Sequence, residues 1–119
     1  MSSVFQGIIT LTPSNPSSAI TTLGAFGIGV VAYGSSQSNA TLLTSQTNTV
    51  TIVPPGSGVI LPALVYTKIV VFNRGLNSLL VYPPIGAQFE NYGFNQPICI
   101  TVNDAAEFTF VSSTQIIAR

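Results

Sequence analysis

Residues 68–86, KIVVFNRGLNSLLVYPPIG, form the stretch that decides how this chain folds. Two runs of mostly apolar and β-branched residues flank the segment RGLN (74–77), and such residues suit a pleated sheet better than a helix. Glycine and asparagine adopt positive φ readily, so Gly75 and Asn77 are expected to do so in a turn. The stretch therefore predicts a β-hairpin. Pro83 and Pro84 end its second strand because proline cannot donate to a ladder.

Short apolar runs between turn residues recur along the whole chain, and helix-favouring Lys and Glu are scarce. This pattern predicts an all-β fold, a β-sandwich or jelly-roll-like barrel of about eight short antiparallel strands. Segments 49–61 and 78–90 are weakly similar in sequence, since each has a Pro-Pro pair after a strand-like run. The predicted strands are 4–11, 26–34, 48–53, 67–73, 78–82, 98–102, 107–111 and 114–118, with a short element at 59–63.

A chain of 119 residues has the usual size of one domain. We expect residues 41–119 to form the sandwich core and residues 1–40 to add an N-terminal strand or arm segment to the same domain. The predicted strands 68–72 and 79–82 are apolar on both faces, as in strands that are covered on both sides. The N-terminal segment or a second copy of the chain would have to cover the outer side.

Charged residues make up only 5% of the chain, against about 25% in an ordinary domain. Thirteen Ser, thirteen Thr, eight Asn and six Gln take their place. Three basic residues are too few for binding to nucleic acid, which draws its affinity from many Lys and Arg contacts. The most apolar run, 23–34, is too short to span a bilayer, so no membrane partner is expected. A net charge of zero offers little electrostatic resistance to self-association.

The residue types needed for catalysis are missing or isolated. The chain has no histidine, so its serines lack the usual activating base. Asp104 and Glu107 are predicted to lie in a solvated turn, which does not suit a catalytic carboxylate pair. Cys99 is the only cysteine, and we expect it to be a small packed residue rather than a reactive thiol. These observations favour a protein without enzymatic activity, metal or cofactor.

Four residues are candidates for contact with a partner. Phe89, Tyr92 and Phe94 lie in the segment AQFENYGFNQP (87–97), where aromatic rings alternate with amides and glycine. Such rings suit a plug at one end of the sandwich, a protein interface or stacking on a sugar, and the sequence leaves the three open. Arg74 is expected at the tip of the predicted hairpin, where its guanidinium can stay solvated or meet a partner.

Residues 45–119 resemble small virion structural proteins of tailed bacteriophages. The motifs that carry the resemblance are Leu61-Pro62, VFNRG (71–75), VYPPIG (81–86) and the segment 108–115. Ile116 stands where those proteins usually have an aromatic residue, and FENYG (89–93) replaces their usual loop.

The resemblance implies a non-enzymatic head decoration, or cement, protein on the capsid exterior. It would be made in the host cytoplasm, form a homotrimer and bind the major capsid protein. The alternative is a receptor- or carbohydrate-binding module of a tail or fibre, with the aromatic residues of 87–97 as stacking rings.

Overall fold

The computed structural model describes residues 29–63 and 67–119, and these form two β-sheets around one apolar core. The predicted all-β class is confirmed, and a short 3-10 helix spans Gln37–Asn39. The strand predicted at 4–11 lies outside the described residues. The described residues contain ten strands: β1 (Val30–Val31), β2 (Thr41–Leu42), β3 (Thr47–Ile52), β4 (Gly58–Ile60), β5 (Lys68–Asn73), β6 (Leu79–Tyr82), β7 (Gln88–Phe89), β8 (Ile98–Ile100), β9 (Ala105–Phe110) and β10 (Gln115–Ala118).

The chain alternates between the two sheets from β1 to β9. One sheet has six strands in the order β1-β3-β5-β9-β10-β7, and the other has four in the order β2-β4-β6-β8. Neighbours within β1-β3-β5 and within β2-β4-β6 are parallel. The first six strands therefore wind around the core as a coil. Val30 lies beside Val50 and Thr47 lies beside Val70, so one turn takes 20 to 23 residues in the larger sheet.

Strand direction differs from the antiparallel arrangement that was predicted. Of the eight strand pairings described, five are parallel, and only β5-β9, β9-β10 and β6-β8 are antiparallel. Parallel neighbours need a long connection to bring the chain back to its starting end. Here the intervening strand of the opposite sheet supplies that connection, so short loops suffice.

The predicted hairpin at 68–82 is wrong, although both of its strands exist. Strand β5 lies in the six-stranded sheet and β6 in the four-stranded sheet, so segment 74–77 crosses between the sheets. Asn73, which is fully buried, holds this crossover. Its Nδ2 donates to the carbonyls of Asn77 (2.9 Å) and Ile100 (3.0 Å), and its Oδ1 accepts from the Gly75 amide (2.9 Å). The side-chain amide of Asn73 thus supplies hydrogen bonds at the point where a hairpin would have had backbone pairing between β5 and β6.

Five turns in the described part of the chain share one geometry. In each, the amide of the fourth residue donates to the carbonyl of the first, and the third residue is a Gly or Asn with positive φ. That conformation suits glycine and asparagine because other side chains strain there. Gly75 and Asn77 are not among the positive-φ residues, so this prediction is wrong. The five third residues are Gly56, Gly86, Asn91, Asn95 and Asn103.

The core takes inward side chains from both sheets. The largest fully buried ones are Phe89, Phe108 and Phe110, and the Phe89 and Phe108 rings lie 5.2 Å apart between centroids. On the outer face of β5, Val70 and Phe72 are half-buried. Cys99 is exposed on the outer side of β8, an edge strand, so the prediction of a packed cysteine is wrong.

Candidate functional site

The structure separates the three aromatic candidates. Phe89 is fully buried in the core, as in the plug interpretation of these rings. Tyr92 and Phe94 are 47% and 57% exposed. Their segment follows β7 through a turn in which the Tyr92 amide donates to the Phe89 carbonyl. The burial of Phe89 therefore orients the loop that presents Tyr92 to solvent.

Arg74 is exposed at the crossover between β5 and β6. Its Nη1 donates to the Asn103 carbonyl (3.2 Å), and its guanidinium carbon lies 5.7 Å from the centre of the Phe72 ring. Arg74 forms no ion pair with any described residue. These contacts hold the guanidinium against the surface, with its remaining donors open to solvent or to a partner.

A cleft of about 370 Å³ lies beside Tyr92, and we term it the polar cleft. It opens between the turn after β7, strand β8, the start of β9 and the end of β10. Glu90, Tyr92, Asp104 and Arg119 line it, and the Arg119 Nη1 lies 3.3 Å from Glu90 Oε1. The aromatic prediction included Tyr92 but missed the three charged residues. Glu90 and Arg119 are far apart in sequence, and only the parallel pairing of β7 with β10 brings them together.

A larger groove of about 860 Å³ lies at the opposite edge of both sheets, and we term it the edge groove. Strands β1, β2 and β3 and the segment between β1 and β2 line it. The Thr41 hydroxyl donates to the Val31 carbonyl (2.7 Å) and so links the edge strands of the two sheets. Tyr33 and Leu42, on the groove wall, are largely exposed. The edge groove is thus neutral and partly apolar.

Charge is divided unevenly between these two sites. All six charged residues lie between Lys68 and Arg119, and residues 29–63 carry none. Four of the six form two surface ion pairs, Lys68 with Glu107 (3.7 Å) and Arg119 with Glu90 (3.3 Å). The edge groove therefore lies in a part of the structure without charged residues, which we term the uncharged end, although Lys68 and Arg74 lie on or next to the neighbouring strand β5. The polar cleft, by contrast, is lined by Glu90, Asp104 and Arg119.

Metal-ligating side chains do not converge in the described part of the chain. No three His, Cys, Asp or Glu side chains there could hold a metal ion together. Glu107 lies within β9 and pairs with Lys68, so the predicted solvated turn includes Asp104 but not Glu107. Within the same residues, no helix has the length and hydropathy to cross a membrane.

No protein-family model, curated protein or solved structure matches this chain. The resemblance to phage virion proteins therefore stays a prediction from the motifs quoted above. The two sites are defined by geometry and chemistry alone.

Proposed function

We propose that this protein is a non-enzymatic structural subunit of a tailed bacteriophage virion, acting as a head decoration protein. In this role it forms a homotrimer, binds the outer surface of the major capsid protein and bridges neighbouring capsomers. The two sheets would pack as a compact β-sandwich, with parallel coil strands in place of a jelly roll. The sequence motifs of 61–115 support the class of protein.

The observation that carries the proposal is the uncharged end of the molecule. A protein that buries surface against its sister subunits or a capsid must remove that surface from water. Removing unpaired charges costs several kcal/mol each, whereas neutral polar groups can exchange water for partner hydrogen bonds. The edge groove and the exposed Tyr33 and Leu42 beside it offer such a neutral surface. We assign the contact with sister subunits to this end.

Assembly can be tested by adding a charge at the uncharged end. Leu42 is 60% exposed, so Leu42→Glu leaves the core intact but places a carboxylate in the proposed interface. The matched control is Leu76→Glu, because Leu76 is 90% exposed in the crossover 74–77. We expect light scattering to give a trimer for the wild type and for Leu76→Glu, and a monomer for Leu42→Glu. A wild-type monomer, or equal behaviour of the two variants, would contradict the proposal.

Capsid binding needs a separate experiment, since assembly alone does not identify the partner. Purified protein is mixed with phage heads stripped of their decoration protein, and bound protein is measured after sedimentation. We expect saturable binding that changes little between about 0.05 and 0.5 M salt, because few charges can be screened. If the protein binds phage tails but not heads, the result would favour the alternative, a receptor- or carbohydrate-binding module of a tail or fibre.

A further inference from the structure

The polar cleft has an apolar floor and a polar rim. Ile100 is buried at its base, and Ile98, Ala106 and Ala118 pack against the core beside it. The rim carries the side chains of Glu90, Asn91, Tyr92, Asp104 and Arg119. A pocket with apolar lining and a few convergent polar groups is the usual form of a small-molecule site, and 370 Å³ lies at the small end of that range.

Two turns of the same type position opposite walls of the cleft. One runs from Phe89 to Tyr92 and holds Asn91 at φ 68°, and the other runs from Thr101 to Asp104 and holds Asn103 at φ 66°. Backbone hydrogen bonds also join the rim residues Glu90 and Arg119 to neighbouring strands. The Glu90 amide donates to the Ile116 carbonyl (2.8 Å), and the Arg119 amide donates to the Glu107 carbonyl (2.8 Å). Hydrogen bonds to the six-stranded sheet therefore fix the backbone of these rim residues.

Several rim groups have hydrogen-bonding capacity left over. The Asn91 amide group and the Tyr92 hydroxyl make no side-chain hydrogen bond to any described residue. Asp104 uses Oδ1 to accept from the Ala105 amide (2.8 Å), which leaves Oδ2 open. Arg119 uses one guanidinium nitrogen for Glu90 and for its neighbour's carbonyl. Donors and acceptors are thus available at adjacent points of one rim.

The net charge of the rim determines which class of ligand suits the cleft. Glu90 and Arg119 neutralise each other at 3.3 Å, and Asp104 leaves one net negative charge. An anionic ligand would meet that charge, so phosphates and acidic sugars are disfavoured. A neutral pyranose has hydroxyl groups for the carboxylate, amide and guanidinium groups, and an apolar C–H face for an aromatic ring.

We propose that the polar cleft binds a neutral saccharide, with Tyr92 as the stacking ring and Asp104 and the Glu90–Arg119 pair as hydroxyl ligands. Phe94 takes no part, since it does not line the cleft. The cleft adjoins edge strands β7 and β8, whereas the edge groove adjoins edge strands β1 and β2. A subunit assembled through its uncharged end therefore keeps the cleft free. The saccharide site does not depend on the decoration role.

The full-length protein is titrated with the methyl pyranosides of glucose, galactose, mannose and N-acetylglucosamine, and backbone amide shifts are followed by NMR. We expect at least one sugar to shift the amides of Asn91, Tyr92 and Asp104 with a Kd on the order of 1 mM. Tyr92→Ala should weaken binding at least about fivefold through loss of the ring, and Tyr92→Phe less than that. Phe94→Ala is the matched control and should bind within about twofold of wild type.

Asp104→Asn tests the rim and keeps the local side-chain hydrogen bond, because an amide oxygen can still accept from the Ala105 amide. It should weaken binding at least about threefold while the unfolding midpoint stays unchanged. Absence of shifts with every sugar at about 10 mM would overturn the proposal. So would equal losses in Tyr92→Ala and Phe94→Ala, or tighter binding of glucose 6-phosphate than of any neutral sugar.

Discussion

Replacing Asn73 by alanine should destabilise this protein more than any other single amide truncation in the crossover. The side chain makes three hydrogen bonds of 2.9 to 3.0 Å, and two of its partner groups belong to the buried residues Ile100 and Gly75. A buried group left without a partner costs about 1 to 3 kcal/mol, and a partly hydrated one costs less. We therefore expect Asn73→Ala to lower the free energy of unfolding by about 3 to 5 kcal/mol, out of the 5 to 15 typical of a domain.

The assay is urea unfolding at equilibrium, followed by circular dichroism and extrapolated linearly to water. Asn77→Ala is the graded control, because it removes one hydrogen bond, from Nδ2 to the Val53 carbonyl (2.9 Å), at a half-buried site. It should lower the free energy of unfolding by about 1 kcal/mol. A loss below about 1 kcal/mol for Asn73→Ala would refute the reasoning, since it would mean that water replaces these bonds.

Asn73→Asp adds a pH dependence with a definite sign. The new carboxyl would be buried and would face two carbonyls, so burial would raise its pKa in the folded protein above the unfolded value of about 3.9. Folding then favours the protonated form. The variant should lose stability as the pH rises through and above that unfolded value, and should regain stability at lower pH relative to wild type. Unfolding curves for both proteins at a series of pH values measure the difference.

Three further predictions concern two glycines and a cysteine. Gly75→Ala should lower the free energy of unfolding by about 1 to 3 kcal/mol, and larger residues should cost more, because a Cβ there would lie 2.5 Å from Val53 Cγ2. At Gly86, where φ is 87° and nothing lies within 4 Å of a Cβ, asparagine should cost less than alanine; the opposite order in urea unfolding would contradict the backbone argument. The exposed Cys99 should react with Ellman's reagent in the folded protein within about tenfold of its rate in the unfolded chain, and strong protection would refute its exposure.

The candidate sites depended on contacts that the local sequence does not contain. Tyr92 was a candidate from composition alone, because it lies among amides and glycine in a loop-like segment. Phe89 lies three residues earlier in the same segment, yet it is fully buried while Tyr92 is half exposed. Strand β7 is only two residues long and was not predicted as a strand. The sequence therefore did not show that Phe89 lies on the inward-facing side of a strand. The uneven distribution of charge, in contrast, is visible in the sequence and points to the uncharged end.

The sequence by itself determined where most of the longer strands lie. Strands β3, β5, β6 and β10 fall where apolar and β-branched runs predicted them, and each Pro-Pro pair contributes the first residue of a turn with a positive-φ glycine. These features depend on side-chain sterics within a few residues, which every segment carries with it. The tertiary structure decided which strands pair and in which direction. Sheet pairing uses backbone groups that all residues share, so the segment at 74–77 could equally have closed a hairpin or crossed between sheets. Burial of Asn73, with its hydrogen bonds to the carbonyls of Asn77 and Ile100, stabilises the crossover. The parallel pairing of β7 with β10 then brings Glu90 beside Arg119 in the polar cleft.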